Sequence, residues 1–400
     1  MNFYNKEFLL SHCQQILNFY TDKVVDKSGG YFQNYLDDGT LFNRSFKQLV
    51  SSTRIIVNYA LAGMVFDRQS YLDIARHGLD YLEQVHWQES TRTYAWTLEN
   101  HQPLDMTQQA YGYAFVLLAY ASVLKAGIIR SDVKLQQVWE LLEERFWQPE
   151  YGLYADELSP DGVLSPYRGQ NANMHLCEAM IAAYEATGKA HFLDRARTLA
   201  SNIAVRQANL TNGLIWEHYT DTFDIDWEYN KEDPRNLYRP WGFQPGHQTE
   251  WSKLLLQLNR HAPEPWLVER AQALFHAAWK HAWDDEFKGL VYGFSPDGAW
   301  CDDEKYFWVQ AESLAAAALL YEVTDEPVWL ERYTKLWRYS WDYMVDHTYG
   351  AWYRLLLRNN TKFSNEKSAA GAKCDYHTLG ACFEVLHSLE RLQTTQSEQA

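Results

Sequence analysis

The chain has 400 residues and a formal charge of −16, and with no basic stripe interleaved with aromatics this sets nucleic acid aside as a partner. No segment offers about eighteen uncharged apolar residues, and the opening Met1-Asn2-Phe3-Tyr4 lacks a basic region leading into an apolar run, so the chain reads as cytoplasmic, without a membrane contact. Five cysteines without CxxC spacing argue against a disulfide framework or zinc knot, whereas 17 Trp and 27 Tyr exceed what packing needs and are the residues that line sugar sites.

The predicted elements are punctuated by a glycine–aromatic turn. It occurs at Gly30-Tyr31-Phe32, Gly152-Leu153-Tyr154, Gly213-Leu214-Ile215-Trp216, Gly289-Leu290-Val291-Tyr292 and Gly350-Ala351-Trp352-Tyr353. The intervals are 122, 61, 76 and 61 residues, and Thr93-Tyr94-Ala95-Trp96 stands where the first interval lacks a copy, giving six units of about sixty residues. Between the turns, apolar residues recur at helical spacing. In chain order, 68–86, 134–147, 189–206, 264–282 and 325–346 are amphipathic and charged, which places them outside. The segments 110–124, 179–186, 254–258, 311–320 and 379–389 are small and apolar on nearly every side, which places them inside. The turns read as short strands or hairpins joining one unit's outer helix to the next unit's inner helix. The expected fold is therefore all-α, a single domain over 1–400 built as an (α/α)6 barrel of six helical hairpins with short β-hairpins in the loops at one mouth. An open solenoid is the other arrangement of such repeats, but it would need polar capping units that neither end supplies.

Parallel inner helices would bring their N-terminal residues to one rim. In chain order these are Arg54, then Gln108 and Tyr111, Asn171 and His175, His247 and Glu250, then Trp308, Gln310 and Glu312, and finally His377. Each interrupts an apolar helix, and a buried polar group needs a partner, so the set should bond to itself or to a ligand. His175 with Glu178, and His247 with Glu250, are spaced i to i+3, which puts each carboxylate on its histidine's helix face, where it can orient an imidazole and raise its basicity. For Glu178 a simple surface ion pair is an equal reading. Cys177 and Cys374, near two of the histidines, read as structural thiols.

Three histidines also invite a metal reading, but neither HExxH nor paired-Cys spacing is present, and ligands on three separate helices cannot be recognised by spacing. No phosphate-binding glycine loop occurs, so no nucleotide is implied. The longest insert, 220–240, carries Asp221, Asp224, Asp226 and Glu228 and ends near Arg235 and Arg239; it reads either as a lid over the mouth or as a solvated acidic loop.

From about Phe8 to Leu392 the chain resembles the N-acylglucosamine 2-epimerase superfamily of (α/α)6-barrel enzymes acting on free sugars. The segments that carry the resemblance are Ser51-Ser52-Thr53-Arg54, Asn171-Ala172-Asn173-Met174-His175, Pro245-Gly246-His247-Gln248-Thr249-Glu250, Trp308-Val309-Gln310-Ala311-Glu312 and Cys374-Asp375-Tyr376-His377. The run from Trp241 to Trp251 is most similar to the aldose–ketose isomerase branch, whose members interconvert mannose and fructose. The resemblance implies a cofactor-independent isomerase working through a cis-enediolate, with no metal, a monosaccharide as substrate, and a monomer or homodimer as the working form. It assigns His377 the proton shuttle between C2 and C1. His247, oriented by Glu250, assists ring opening and moves protons between O1 and O2, and Arg54 stabilises the enediolate oxygen. His175, Asn171, Tyr111, Trp308 and Glu312 hold the hydroxyls and the sugar face. A sugar 2-epimerase, an inverting glycosidase using Glu250 and Glu312, and a non-catalytic sugar-binding protein are the competing readings.

Overall fold

In the computed structural model, which describes residues 1–399, twelve helices carry the repeat. In chain order they are α1 (Lys6–Tyr20), α2 (Leu49–Val65), α3 (Gln69–Tyr81), α4 (Ala110–Lys125), α5 (Val133–Arg145), α6 (Gln170–Thr187), α7 (Ala190–Ser201), α8 (Pro245–His261), α9 (Pro265–Ala282), α10 (Phe307–Thr324), α11 (Pro327–Tyr339) and α12 (Tyr376–Gln399). The even-numbered helices form a closed inner ring in which each packs on the next and α12 returns to α2. The odd-numbered helices wrap it, α3 on α2, α5 on α4 and so on, while α1 covers α12. No described helix is long and apolar enough to cross a membrane.

Composition explains the two layers. Every residue of α4 from Gly112 to Val123, and of α10 from Val309 to Leu320, is buried, and a helix without a polar face is stable only where both sides are covered. By contrast α3 buries only Tyr71, Ala75, Gly78, Leu79 and Tyr81, one stripe facing inward. The expected outer segments hold with adjusted ends. Helix α5 stops at Arg145 rather than 147, because Trp147-Gln148 pairs as a strand with Leu153-Tyr154. The segments 68–86, 189–206 and 325–346 finish in wider π turns over 82–86, 202–207 and 340–344. The sixth outer helix, α1, precedes the first glycine–aromatic turn, so its partner α12 lies at the other end of the chain.

Short strands stitch the units together at one mouth. The strand entering each inner helix pairs with the hairpin of the following unit: 46–48 with 97–99, 108–109 with 157–158, 168–169 with 218–219, and 305–306 with 355–356. Before α8 the link is a single Phe243–Phe294 bridge, and before α12 residues 366–368 pair with 34–36, joining the last unit to the first. At three junctions a fully buried lysine of the entering strand bonds an aspartate of the preceding turn: Lys47–Asp26 at 2.7 Å, Lys305–Asp284 at 3.1 Å and Lys367–Asp346 at 2.7 Å. Removing one partner of such a pair strands a buried charge at a cost of about 3–5 kcal/mol, so these pairs fix the junctions even if they add little net stability.

Candidate active site

The N-terminal turns of the six inner helices open into one cavity of about 610 Å³. Its walls hold Arg54 from α2, Tyr111 from α4, Asn171 and His175 from α6, His247 and Glu250 from α8, Trp308 from α10 and His377 from α12. Two of the rim residues expected from sequence serve the frame instead. The Gln310 amide bonds the backbone N–H and carbonyl of Leu290, and Gln108 accepts from Arg145 and Tyr113. The 220–240 insert forms the outer wall through Tyr229, Asn230 and residues 236–240. Its arginines anchor it, Arg235 to Glu304 at 2.6 Å and Arg239 to Glu157 at 3.5 Å, while Asp221, Asp224 and Glu228 face solvent.

Each of two cavity histidines has one ring nitrogen committed to a carboxylate. His377 Nδ1 lies 2.7 Å from Glu312 Oε1, and His247 Nδ1 lies 2.6 Å from Glu217 Oε1. A carboxylate accepts, so each imidazole is the Nδ1–H tautomer when neutral and keeps its Nε2 lone pair. Both rings lie against Trp308, at 4.9 Å for His247 and 5.8 Å for His377 between centroids. Two expectations change here. Glu250 is on the same helix face as His247 but does not orient it; that partner is Glu217, from the hairpin ahead of the insert. Glu312 is not free to hold a sugar hydroxyl, because it lies behind His377 and is bonded to it.

Glu250 has a different use. It is fully buried, neither oxygen has a hydrogen-bond partner, and its nearest basic atom is His175 Nε2 at 3.9 Å. Burial, reinforced by the neighbouring Glu312, pushes its carboxyl well above the usual range. Burial thus favours the protonated form of this carboxyl, which faces the cavity. Burial also pushes His377 down to about 4 against the opposing pull of Glu312, which leaves its Nε2 unprotonated at pH 7.

Burial works against the charge on Arg54, but Tyr111, Cys374, Tyr376 and Glu178 outweigh it and hold the guanidinium above its ordinary value. The guanidinium donates to Tyr111 Oη at 2.9 Å and lies over Phe115 and Tyr376, 4.3 and 4.9 Å from their centroids. Its buried Nε has no partner, and neither does Asn171 Oδ1. Unpaired buried polar atoms around one cavity are sites where a polyhydroxylated ligand gains bonds the free protein lacks. Glu178, read equally as a surface ion pair, is buried; it accepts from Tyr376 Oη and lies 3.7 Å from His175 Nδ1.

Three functional residues escaped sequence reasoning: Glu217, Tyr376 and Lys253. Glu217 directly follows the glycine–aromatic turn at Gly213, and its position is set by a relay in which Trp251 Nε1 donates to Gln170 and Gln170 donates to both Glu217 oxygens. Lys253 Nζ lies 2.5 Å from Glu312 and 3.8 Å from Glu178. Two sets, His175–Glu178–Glu250 and Glu250–Glu312–His377, are close enough to converge on a cation. They suit a resident metal poorly, since in the first set Glu178 already accepts from Tyr376, and in the second Glu312 is taken up by Lys253 and His377.

Residues 30–381 match the family described as N-acylglucosamine 2-epimerase (GlcNAc 2-epimerase). The chain is 50% identical over 389 residues to a D-mannose isomerase of Marinomonas mediterranea, covering 97% of this chain and 98% of that protein. It is 33% identical to a D-mannose isomerase of Pseudomonas cannabina pv. alisalensis, covering 71% and 70%. A D-mannose isomerase crystal structure superposes with a TM-score of 0.95 at 49% identity, covering 97% of this chain and 99% of that one. A cellobiose 2-epimerase structure from Spirochaeta thermophila superposes at 0.84 with 20% identity over 97% of each chain, a likeness of fold alone.

Proposed function

The chain belongs to the N-acylglucosamine 2-epimerase family, and on that premise we propose that it is an aldose–ketose isomerase that interconverts D-mannose and D-fructose. The observation that carries the mechanism is the pair of imidazoles in one buried cavity, each with Nδ1 bonded to a carboxylate and Nε2 left as a base. In the forward direction, Glu250 and His247 assist ring opening by donating to and accepting from the ring oxygen and the O1 hydroxyl. His377 Nε2 then takes the C2 proton; the C–H electron pair becomes the C1–C2 double bond, and the carbonyl electrons move to O1. Arg54 stabilises that oxyanion with a fixed positive charge. His247 carries a proton from O2 to O1, and His377 returns its proton to C1, leaving a carbonyl at C2. Asn171, Tyr111, His175 and Trp308 hold the hydroxyls and the sugar face. Every step is a proton transfer between the sugar and these side chains, so none draws on a cofactor. We place the enzyme in the cytoplasm, where its five free thiols would stay reduced.

Proton NMR of D-mannose with the protein in deuterium oxide and EDTA tests the reading. Fructose is expected as the first product, with deuterium at C1 to the extent that the proton on His377 exchanges with solvent before it is returned, and His377→Ala should slow its formation by about a thousandfold. Glucose as the first product would overturn the isomerase assignment in favour of 2-epimerisation.

A further inference from the structure

We infer that Lys253, which does not line the cavity, is a positioning residue that keeps Glu312 ionised and so holds His377 in the tautomer that leaves Nε2 free to take a proton. The inference rests on the reading of His377 as the base. Helix α8 places Lys253 three residues beyond Glu250 and six beyond His247, one turn and two turns deeper from the mouth. Its ammonium lies between the helices on either side, 2.5 Å from Glu312 Oε2 on α10 and 3.8 Å from Glu178 Oε2 on α6. The residue is 8% exposed, so the charge is held almost wholly away from water.

A buried ammonium is costly unless its surroundings need it. Here they do, because Glu312 and Glu178 both lie against it, at 2.5 and 3.8 Å. The groups facing Glu312 are Lys253 and Glu250 from α8, Glu178 from α6, and His377 and Tyr376 from α12, while Arg54 from α2 and His175 from α6 act on His377. Burial works to raise the Glu312 carboxyl, but Lys253 first and His377 second outweigh it and hold it below the ordinary carboxylate value. In turn, Glu312 first and Glu178 second overcome burial and keep the Lys253 ammonium charged.

The consequence for His377 follows from proton counting. An ionised Glu312 can only accept, so Nδ1 must carry the imidazole's hydrogen and Nε2 must be the base. A protonated Glu312 can donate to Nδ1 instead, and Nε2 would then carry the hydrogen and be unable to take one from C2. Lys253 therefore acts on the reaction through Glu312 without touching the sugar. The same position would also suit a group that merely packs three helices together, and the two roles differ in what Lys253→Met changes.

In Lys253→Met, of similar length but uncharged, kcat for mannose is expected to fall about a hundredfold at pH 7 with KM within about threefold of wild type. The acid limb of kcat should move up past neutral pH as Glu312 regains a proton, since only a protonated Glu312 at pH 7 gives that loss. Lys253→Arg should restore that limb. Nitrogen-15 spectra of the substrate-free protein should show Nδ1–H at His377 in wild type and Nε2–H in Lys253→Met. A folded Lys253→Met with the wild-type tautomer and acid limb, or Nε2–H in wild type itself, would overturn the inference. If Lys253→Met does not fold, Lys253→Gln is judged by the same spectra. Because the tautomer is read without sugar, a wild-type protein inert toward mannose would defeat the isomerase reading and leave this one to be decided on its own.

Discussion

The imidazole of His247 has two glutamates within reach of argument but only one within reach of a hydrogen bond. Spacing of three residues says that Glu250 shares a helix face with His247; it does not say which way the ring turns. The ring turns toward the neighbouring unit, where Glu217 is fixed by Gln170 and Trp251, and Glu250 is left without a hydrogen-bond partner. Glu217→Gln should therefore lower kcat between about a hundredfold and ten-thousandfold, because an amide can present N–H to Nδ1 and stabilise the wrong tautomer. Steady-state kinetics beside an unchanged melting curve checks this; wild-type turnover would show that Glu217 has no part in setting the tautomer. The cavity-lining residues themselves were legible as polar interruptions of apolar helices. The residues behind them were not, because Glu217 lies in a bend ahead of the 218–219 strand, outside the helical pattern, and Lys253 stands in the middle of its helix with no spacing that marks its partners on other helices.

At the level of one element, α8 shows how closely the inner helices must approach. Gly246 lies at its first turn, and a Cβ there would fall 2.5 Å from the Trp308 ring of α10. That indole is the surface against which the His247 and His377 imidazoles rest. Gly246→Ala is expected to cost about 1–3 kcal/mol of stability by overpacking and to lower kcat by about tenfold through displacement of Trp308. Calorimetry together with kinetics reads both; an alanine variant with normal turnover would mean that the indole can move without consequence. The division into inner and outer helices was visible in the sequence because burial on all sides and burial on one side leave different patterns at a 3.6-residue period. Helix ends were less visible. In 134–147 the apolar spacing runs past the point where Trp147 leaves the helix for a strand, and periodicity carries no signal for that change of backbone.

Across the whole molecule, closure of the ring depends on the two chain ends meeting. Helix α1 buries Leu9, Cys13, Ile16 and Leu17, and Tyr20 donates to Asp375 at 2.5 Å, directly ahead of the helix that carries His377. Removing residues 1–20 should abolish cooperative unfolding and activity together, since a row of apolar side chains would be exposed on α12 as well. Circular dichroism melts give the answer, and a shortened chain melting at the wild-type temperature would contradict the dependence. Sequence repetition implied a ring but not this pairing, because the glycine–aromatic turns mark units only from residue 30 onward. The ring also has an electrical consequence. Six inner helices start at one mouth, and each helix start carries a partial positive charge from its unpaired amide groups. His247 and His377 lie in the first turn of their helices, within the range over which that charge acts. A protein of net charge −16 thus repels anions arriving from solvent yet holds a positive focus inside its cavity. Under the proposed mechanism, negative charge would be favoured only where and while the enediolate forms.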